Sequence, residues 1–337
     1  MNEKGLGHVL TLSTTKYARH VRRVFLHWPS EPQEKSLDAT EMLLSSYLQR
    51  FTGTRRLTIW GDSAQRPLSP LSHGRFLGAV RKTLAWSRFE KLEHLDIQLP
   101  LPQDYDRVVT GDESYLGEVK STMSDLMAHL RRLEVSLCPR SSCDNESILD
   151  STKWLESSEP MRQQRMFSFV SMAPYLTSLS LIGEHLHLDL NTLEMSNLCN
   201  LRDLFLRKLK FSFKELWALI HRYKDTLRNL RLDWMKLSNR SWYLLIGSLA
   251  DLPLLTYFYM ERCTYDTSAL DLKIPLNELG WVDSRQFELC TAEDTRALAP
   301  LKEHMTETRR RLGMRESSLI GLEIRSFGEI LHDMYEE

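Results

Sequence analysis

The stretch TLRNLRLDWMKL, residues 226–237, decides how this chain folds. Leucines stand at 227, 230, 232 and 237, and polar or charged residues fill most of the gaps. An amphipathic helix spaces apolar residues three or four apart, while a half-buried strand spaces them two apart. Locally the stretch satisfies both, so the choice turns on whether the pattern recurs and at what period.

The pattern L-x-x-L-x-L recurs along the chain. Leu176–Leu179–Leu181, Leu201–Leu204–Leu206 and Leu227–Leu230–Leu232 match it fully. Leu92–Leu95–Ile97 and Leu130–Leu133–Val135 differ by one conservative change each. Val21–Val24–Leu26 and Leu255–Phe258–Met260 are looser, and Leu57–Ile59 has Thr54 at the leading position. The central residues 24, 57, 95, 133, 179, 204, 230 and 258 are separated by 33, 38, 38, 46, 25, 26 and 28 residues. The last three intervals lie within or near the roughly 20–29 residues of a leucine-rich repeat, and the earlier ones require inserts. Segments with helical spacing fall between the triplets, at 74–89, 124–132, 214–223 and 241–252. Unrelated amphipathic helices would not pair an alternating segment with a helical one at a near-constant period. The expected fold is therefore α/β: a leucine-rich-repeat solenoid with a curved parallel sheet on the concave face and helices on the convex face.

Within each strand the residues between the inward leucines point to the concave face. That face then carries Arg23, Phe25, Arg56, Trp60, Arg132, Phe205, Arg207, Arg231, Tyr257 and Tyr259, which are the candidate binding residues. Arg, Trp and Tyr dominate interface energetics. Three residues past the triplet such repeats place Asn or Cys at the turn; here two of the eight positions are cysteines, Cys138 and Cys263, expected as buried structural thiols, and none is Asn.

The segment KDTLRNLRLDWMKLSNRSWYLLIGSL resembles the late repeats of the F-box/leucine-rich-repeat proteins abundant in filamentous fungi, and ARHVRRVFLHW resembles their first strand. The likeness is clearest over 176–263. It implies a substrate receptor of a ubiquitin ligase, docked through its F-box to the Skp adaptor of a cullin–RING assembly. No F-box is evident: the residues before Val21 are too few, and 35–51 reads as a single helix without the L-P start. The alternative is a stand-alone scaffold or adaptor with no ligase link, and a ligase adaptor is expected as partner only if an F-box lies upstream.

Composition is that of an ordinary globular protein. Of 337 residues, 42% are hydrophobic and 26% charged, with a formal net charge of −1. Near-neutrality offers no global argument for nucleic acid or an anionic membrane. The arginine doublets at 22–23, 55–56 and 131–132 could align as a stripe, but Asp96, Glu134, Asp203, Asp233 and Glu261 interrupt that face, so nucleic acid is not expected as partner. The N-terminus lacks an apolar signal core and no run spans a membrane. Five scattered cysteines argue against a disulfide framework. A cytoplasmic or nuclear location is expected.

Three regions are expected: a lead-in over 1–20, the repeat domain over 21–270 and a C-terminal capping segment over 271–337, whose helix is interrupted near Pro300. Surface loops are expected near 99–118 and 139–160, where Pro, Gly, Ser and acidic residues cluster. Signatures of catalysis are absent, with no GxGxxG, P-loop, HExxH or GxSxG. His185 and His187 could meet a metal, but no further ligands are identifiable. No enzyme activity, cofactor or metal is expected, and the expected partner is a protein.

Overall fold

Each leucine triplet places two apolar side chains on one side of an extended segment, and these segments pair. The computed structural model describes residues 3–28, 44–61, 70–86, 89–99, 102–110, 116–137, 167–187, 198–237, 242–261, 263–265 and 292–314. Ten strands form one sheet: β1 (Arg23–Trp28), β2 (Arg56–Gly61), β3 (His94–Leu99), β4 (Arg132–Leu137), β5 (Ser178–His187), β6 (Asp203–Phe211), β7 (Asn229–Asp233), β8 (Lys236–Leu237), β9 (Tyr257–Glu261) and β10 (Thr264–Tyr265). The main path runs β1-β2-β3-β4-β5-β6-β7-β9, in chain order and parallel throughout. The register sets Val24, Leu57, Leu95, Leu133, Leu179, Leu204, Leu230 and Phe258 side by side as one row.

The apolar side of the sheet is covered by helices α2 (Pro70–Trp86), α3 (Pro102–Thr110), α4 (Leu116–His129), α5 (Phe213–Arg222) and α6 (Trp242–Leu249). Phe76, Val80, Tyr105, Met127, Leu216 and Leu245 join the strand leucines in one continuous core. A helix near the N-terminus, α1 (Glu3–Ser13), precedes β1. The last helix, α7 (Ala292–Arg311), buries Leu301 and Met305 and packs against α6. Its His304 ring nitrogen lies 3.0 Å from the Leu252 carbonyl oxygen.

The leucine-rich-repeat solenoid is corrected to a parallel α/β architecture whose connecting units are not copies of one another. Among the described residues, one helix of 17 residues joins β2 to β3, whereas two helices of 9 and 14 residues join β3 to β4. A single helix of 10 residues joins β6 to β7, and the two-residue strand β8 followed by a helix of 8 joins β7 to β9. The register is regular while the covering layer is not. The apolar triplets therefore report strand pairing and not a repeated unit.

Two further expectations change. The segment 99–118, read as a loop from its Pro and acidic content, contains α3 and the start of α4. Tyr105 and Val108 of α3 are fully buried, and Pro102 opens the helix where its missing N–H costs nothing. The Tyr105 hydroxyl sits 2.9 Å from the Ser136 carbonyl oxygen and 3.0 Å from that of Ile97, tying α3 to β3 and β4. The buried pair His73 and Asp104, 2.9 Å apart, ties α3 to α2. At the other end, α7 runs through Pro300 without interruption. Proline removes one helix hydrogen bond there, and the packing of Leu301, Met305 and Thr308 offsets the loss. The segment 139–160 lies outside the described residues.

Local chemistry explains the irregular triplet at β2. Thr54 replaces a leucine and is buried, and its hydroxyl donates to the Phe51 carbonyl oxygen at 2.9 Å. The residue before each strand is also used uniformly. The carbonyl of Arg22 accepts from the N–H groups of both Arg55 and Arg56, that of Arg55 from Glu93 and His94, and that of Glu93 from Arg131 and Arg132. Lys208 and Trp234, with φ of 53° and 55°, immediately follow the paired residues Arg207 and Asp233. This matched left-handed corner carries both chains into the short β6–β8 pairing.

Candidate binding face

The face of the sheet opposite the helices has three rows of side chains, defined by register. The first row reads Arg23, Arg56, His94, Arg132, Ser178, Asp203, Asn229 and Tyr257. The second reads Phe25, Thr58, Asp96, Glu134, Ser180, Phe205, Arg231 and Tyr259, and the third begins with His27 and Trp60 and ends with Arg207, Asp233 and Glu261.

Eight of the ten candidate residues fall into three groups. Phe25 and Trp60 are 58% and 40% exposed and meet edge to face, with ring centroids 5.3 Å apart. Phe205, Arg231 and Tyr259 form a sandwich across three strands: the guanidinium carbon lies 4.9 Å from the Phe205 centroid and 4.5 Å from that of Tyr259. Desolvated contacts of this kind are worth about 1–2 kcal/mol each. Arg23, Arg56 and Arg132 flank His94 in the first row. Two candidates stand apart from these groups. Arg207 is held by Asp233 at 3.1 Å, and Tyr257 is half-buried at the far end of the first row.

The face is less solvated than the sequence suggests. Thr58, Asp96, Ser180 and Asp233 are buried, because parallel strands bring neighbouring side chains close enough to exclude water. Burial raises the Asp96 carboxyl, opposed by the Trp60 indole hydrogen bond (3.4 Å) and the Arg56 guanidinium (4.0 Å). Glu134 is pushed up to about 7, first by burial and then by the neighbouring Asp96 charge. His94 is pushed down to about 3, first by burial and then by Arg56, Arg132 and Arg23, so its ring is neutral at physiological pH. Burial likewise raises Asp203, which accepts a hydrogen bond from Asn229.

Beyond the candidates, Arg22, Arg55, Glu93 and Arg131 join Arg23, Arg56, His94 and Arg132 around a cavity of about 390 Å³ at the N-terminal ends of β1 to β4. The doublets at 22–23, 55–56 and 131–132 were the signal for it. What periodicity alone could not supply is that both members of each doublet face the same cavity. Cys263 is buried, with its thiol raised by burial and directed at the Leu232 and Glu261 carbonyl oxygens. Cys138 lies outside the described residues, as do Cys143 and Cys290, whereas Cys199 is exposed. Among the described residues no group of three or more His, Cys, Asp or Glu is placed to hold a metal ion. No helix among them is long and apolar enough to cross a membrane.

No family model matches the chain, and no curated protein matches it. Among solved structures, an L-ribulose 3-epimerase aligns over 91% of this chain and 100% of its own, at 14% identity and a TM-score of 0.23. A superposition this loose transfers neither fold nor activity. The leucine-rich-repeat expectation is corrected by the unequal covering helices, and no family model carries the F-box-like, fungal and ubiquitin-ligase expectations.

Proposed function

We propose that this protein is a protein-binding module, acting as a scaffold or adaptor, that presents the arginine- and aromatic-bearing face of its sheet to a partner polypeptide. The observation that carries this reading is the exposed Phe25–Trp60 pair, held edge to face on two adjacent strands beside a cluster of arginines. Trp and Arg in one patch form the commonest kind of interface hot spot. The backbone beneath is a continuous parallel ladder, so a partner meets a preorganised surface and little ordering cost is incurred on binding.

Three aspartates of the face are engaged structurally: Asp96 with Trp60 and Arg56, Asp233 with Arg207, and Asp203 with Asn229. That engagement favours recognition over proton-transfer chemistry. A photo-crosslinking residue placed at Phe25 in the full chain tests the proposal in cell extract. Specific polypeptide adducts are expected, reduced about tenfold or more by Trp60→Ala, equivalent to ~1.4 kcal/mol. Adducts of unchanged yield in a folded Trp60→Ala variant would rule this surface out.

A further inference from the structure

The cavity at the start of β1 to β4 carries a charge distribution that the protein-binding reading does not use. Six arginines line it, with Glu93 as the only acidic residue of its wall among the described residues. They arrive there through sequence and register together. Arginine doublets immediately precede or open β1, β2 and β4, and the shared carbonyl pairing holds each doublet at the same height. His94 sits between Arg56 and Arg132 and adds no positive charge of its own at neutral pH.

Holding six guanidinium groups around about 390 Å³ is electrostatically unfavourable unless anions enter. Partners among the described residues meet part of that charge, and the Asp203 carboxylate lies within electrostatic reach of Arg132. Glu93 faces Arg55 at 4.0 Å, Asp96 faces Arg56 at 4.0 Å, and Arg22 donates to the Gly53 carbonyl oxygen at 3.1 Å. Arg131 lies 6.0 Å from the Tyr175 ring centroid. A single carboxylate is met by one bidentate guanidinium. Arginines converging from three strands suit a dianion with three acceptor oxygens, which is a phosphoryl group.

The extent of the basic surface separates possible ligands. From β1 to β4 it covers three strand spacings, roughly 14 Å. In the same row the next residues are Ser178, Asp203, Asn229 and Tyr257, and in the row just before the strands Thr177 breaks the basic track before Arg202 and Arg228 resume it around Asp203, so the track is not continuous. Nucleic acid requires a longer continuous footprint. The cavity is instead bordered on the same two strands by Phe25 and Trp60. An extended peptide can place one side chain among the arginines and an apolar side chain on the aromatic pair.

We infer that the arginine-lined cavity at the N-terminal ends of β1 to β4 receives a phosphorylated side chain of the protein partner, whose adjoining apolar residue rests on Phe25 and Trp60. This deepens the reading of the face as a protein-binding surface and rests on it.

The test uses the full chain, immobilised, and three degenerate peptide libraries that are identical except for a fixed central phosphoserine, serine or glutamate. Retention of the phosphoserine library about tenfold above the serine library is expected, with competition by inorganic phosphate. Arg23→Ala and Arg131→Ala, both at exposed positions, are each expected to lower that retention about tenfold while Tm is held. Arg56→Lys keeps the charge but loses the planar fork, and a partial loss is expected. Equal retention of phosphoserine and serine libraries, or retention insensitive to both arginine variants, overturns the inference. So does a single-stranded oligonucleotide that displaces the phosphoserine library at lower concentration than inorganic phosphate. Failure of the wider reading looks different. If Phe25 crosslinks persist and remain Trp60-dependent while phosphorylation has no effect, the face still binds protein and only the phosphoryl site is lost.

Discussion

Glu134 and His94 are neighbours of opposite character, and their titrations push stability in opposite directions. The Glu134 carboxyl is raised to about 7, so between pH 4.5 and 7 the native state holds a proton that the unfolded state has released. Stability from this group is full below pH 4.5 and is lost as pH rises through 7. Glu134→Gln is therefore expected to raise Tm at pH 8 and to change it little at pH 4.5, and thermal melts at the two pH values measure this. For His94 the unfolded state gains the proton first, as pH falls from 6.5 toward 3. Its contribution is full above pH 6.5 and lost on acidification, and His94→Gln should flatten that acid limb. Leu230 is fully buried in the central row, and Leu230→Asp places an unpaired charge there at a cost of at least about 4 kcal/mol. Trp60→Ala removes an exposed ring, so a loss below about 1.5 kcal/mol is expected alongside weakened partner capture. Tyr259→Ala should melt lower than Trp60→Ala, because its ring packs on Arg231 and its hydroxyl donates to Glu261. A Cβ at Gly53 would overlap the backbone carbonyl oxygen of Arg19 and the Arg22 side chain. Gly53→Ala is expected to destabilise by several kcal/mol, on the order of the largest single-site losses.

At the scale of elements, α5 shows how a helix start is written locally. Ser212 accepts from the Glu215 N–H at 3.2 Å, and Glu215 accepts from the Ser212 N–H at 2.8 Å, a reciprocal capping box. Ser212→Ala should cost about 1 kcal/mol in chemical denaturation. α3 is held differently, by one buried hydroxyl. Tyr105→Phe keeps the ring against Phe169 but deprives the Ile97 and Ser136 carbonyl oxygens, at about 1–3 kcal/mol. These two helices also mark what could be read in advance. α5 follows from the 3.6-residue spacing of Leu216, Leu219 and Ile220. α3 is not legible in advance because Pro102, Asp104 and Asp106 speak for a loop, while the residues that hold it, Tyr105 and Val108, find their partners only after β3 and β4 have paired. The strands were legible from their triplets, since alternation is a property of one strand alone. The unequal covering helices were not, because a strand's pattern says nothing about what lies above it. On the binding face, the identity of the outward residues was readable, but the burial of Asp96 and Asp233 depends on cross-strand neighbours 26 or more residues away in sequence.

For the whole molecule, the decisive property is that each strand from β2 to β6 lies beside the strands that precede and follow it in the chain. A perturbation such as Leu230→Asp is thus expected to loosen β6, β7 and β9 before β1 to β3, which hydrogen exchange can resolve strand by strand. The same order bears on how the protein is made. A strand leaving the ribosome meets, as its partner, the strand synthesised just before it, and needs nothing still inside the exit tunnel. The sheet can be laid down from β1 onward during translation, each new segment covering the exposed edge of the last, so besides the outer edge of β1 a nascent chain presents only its newest edge at any moment.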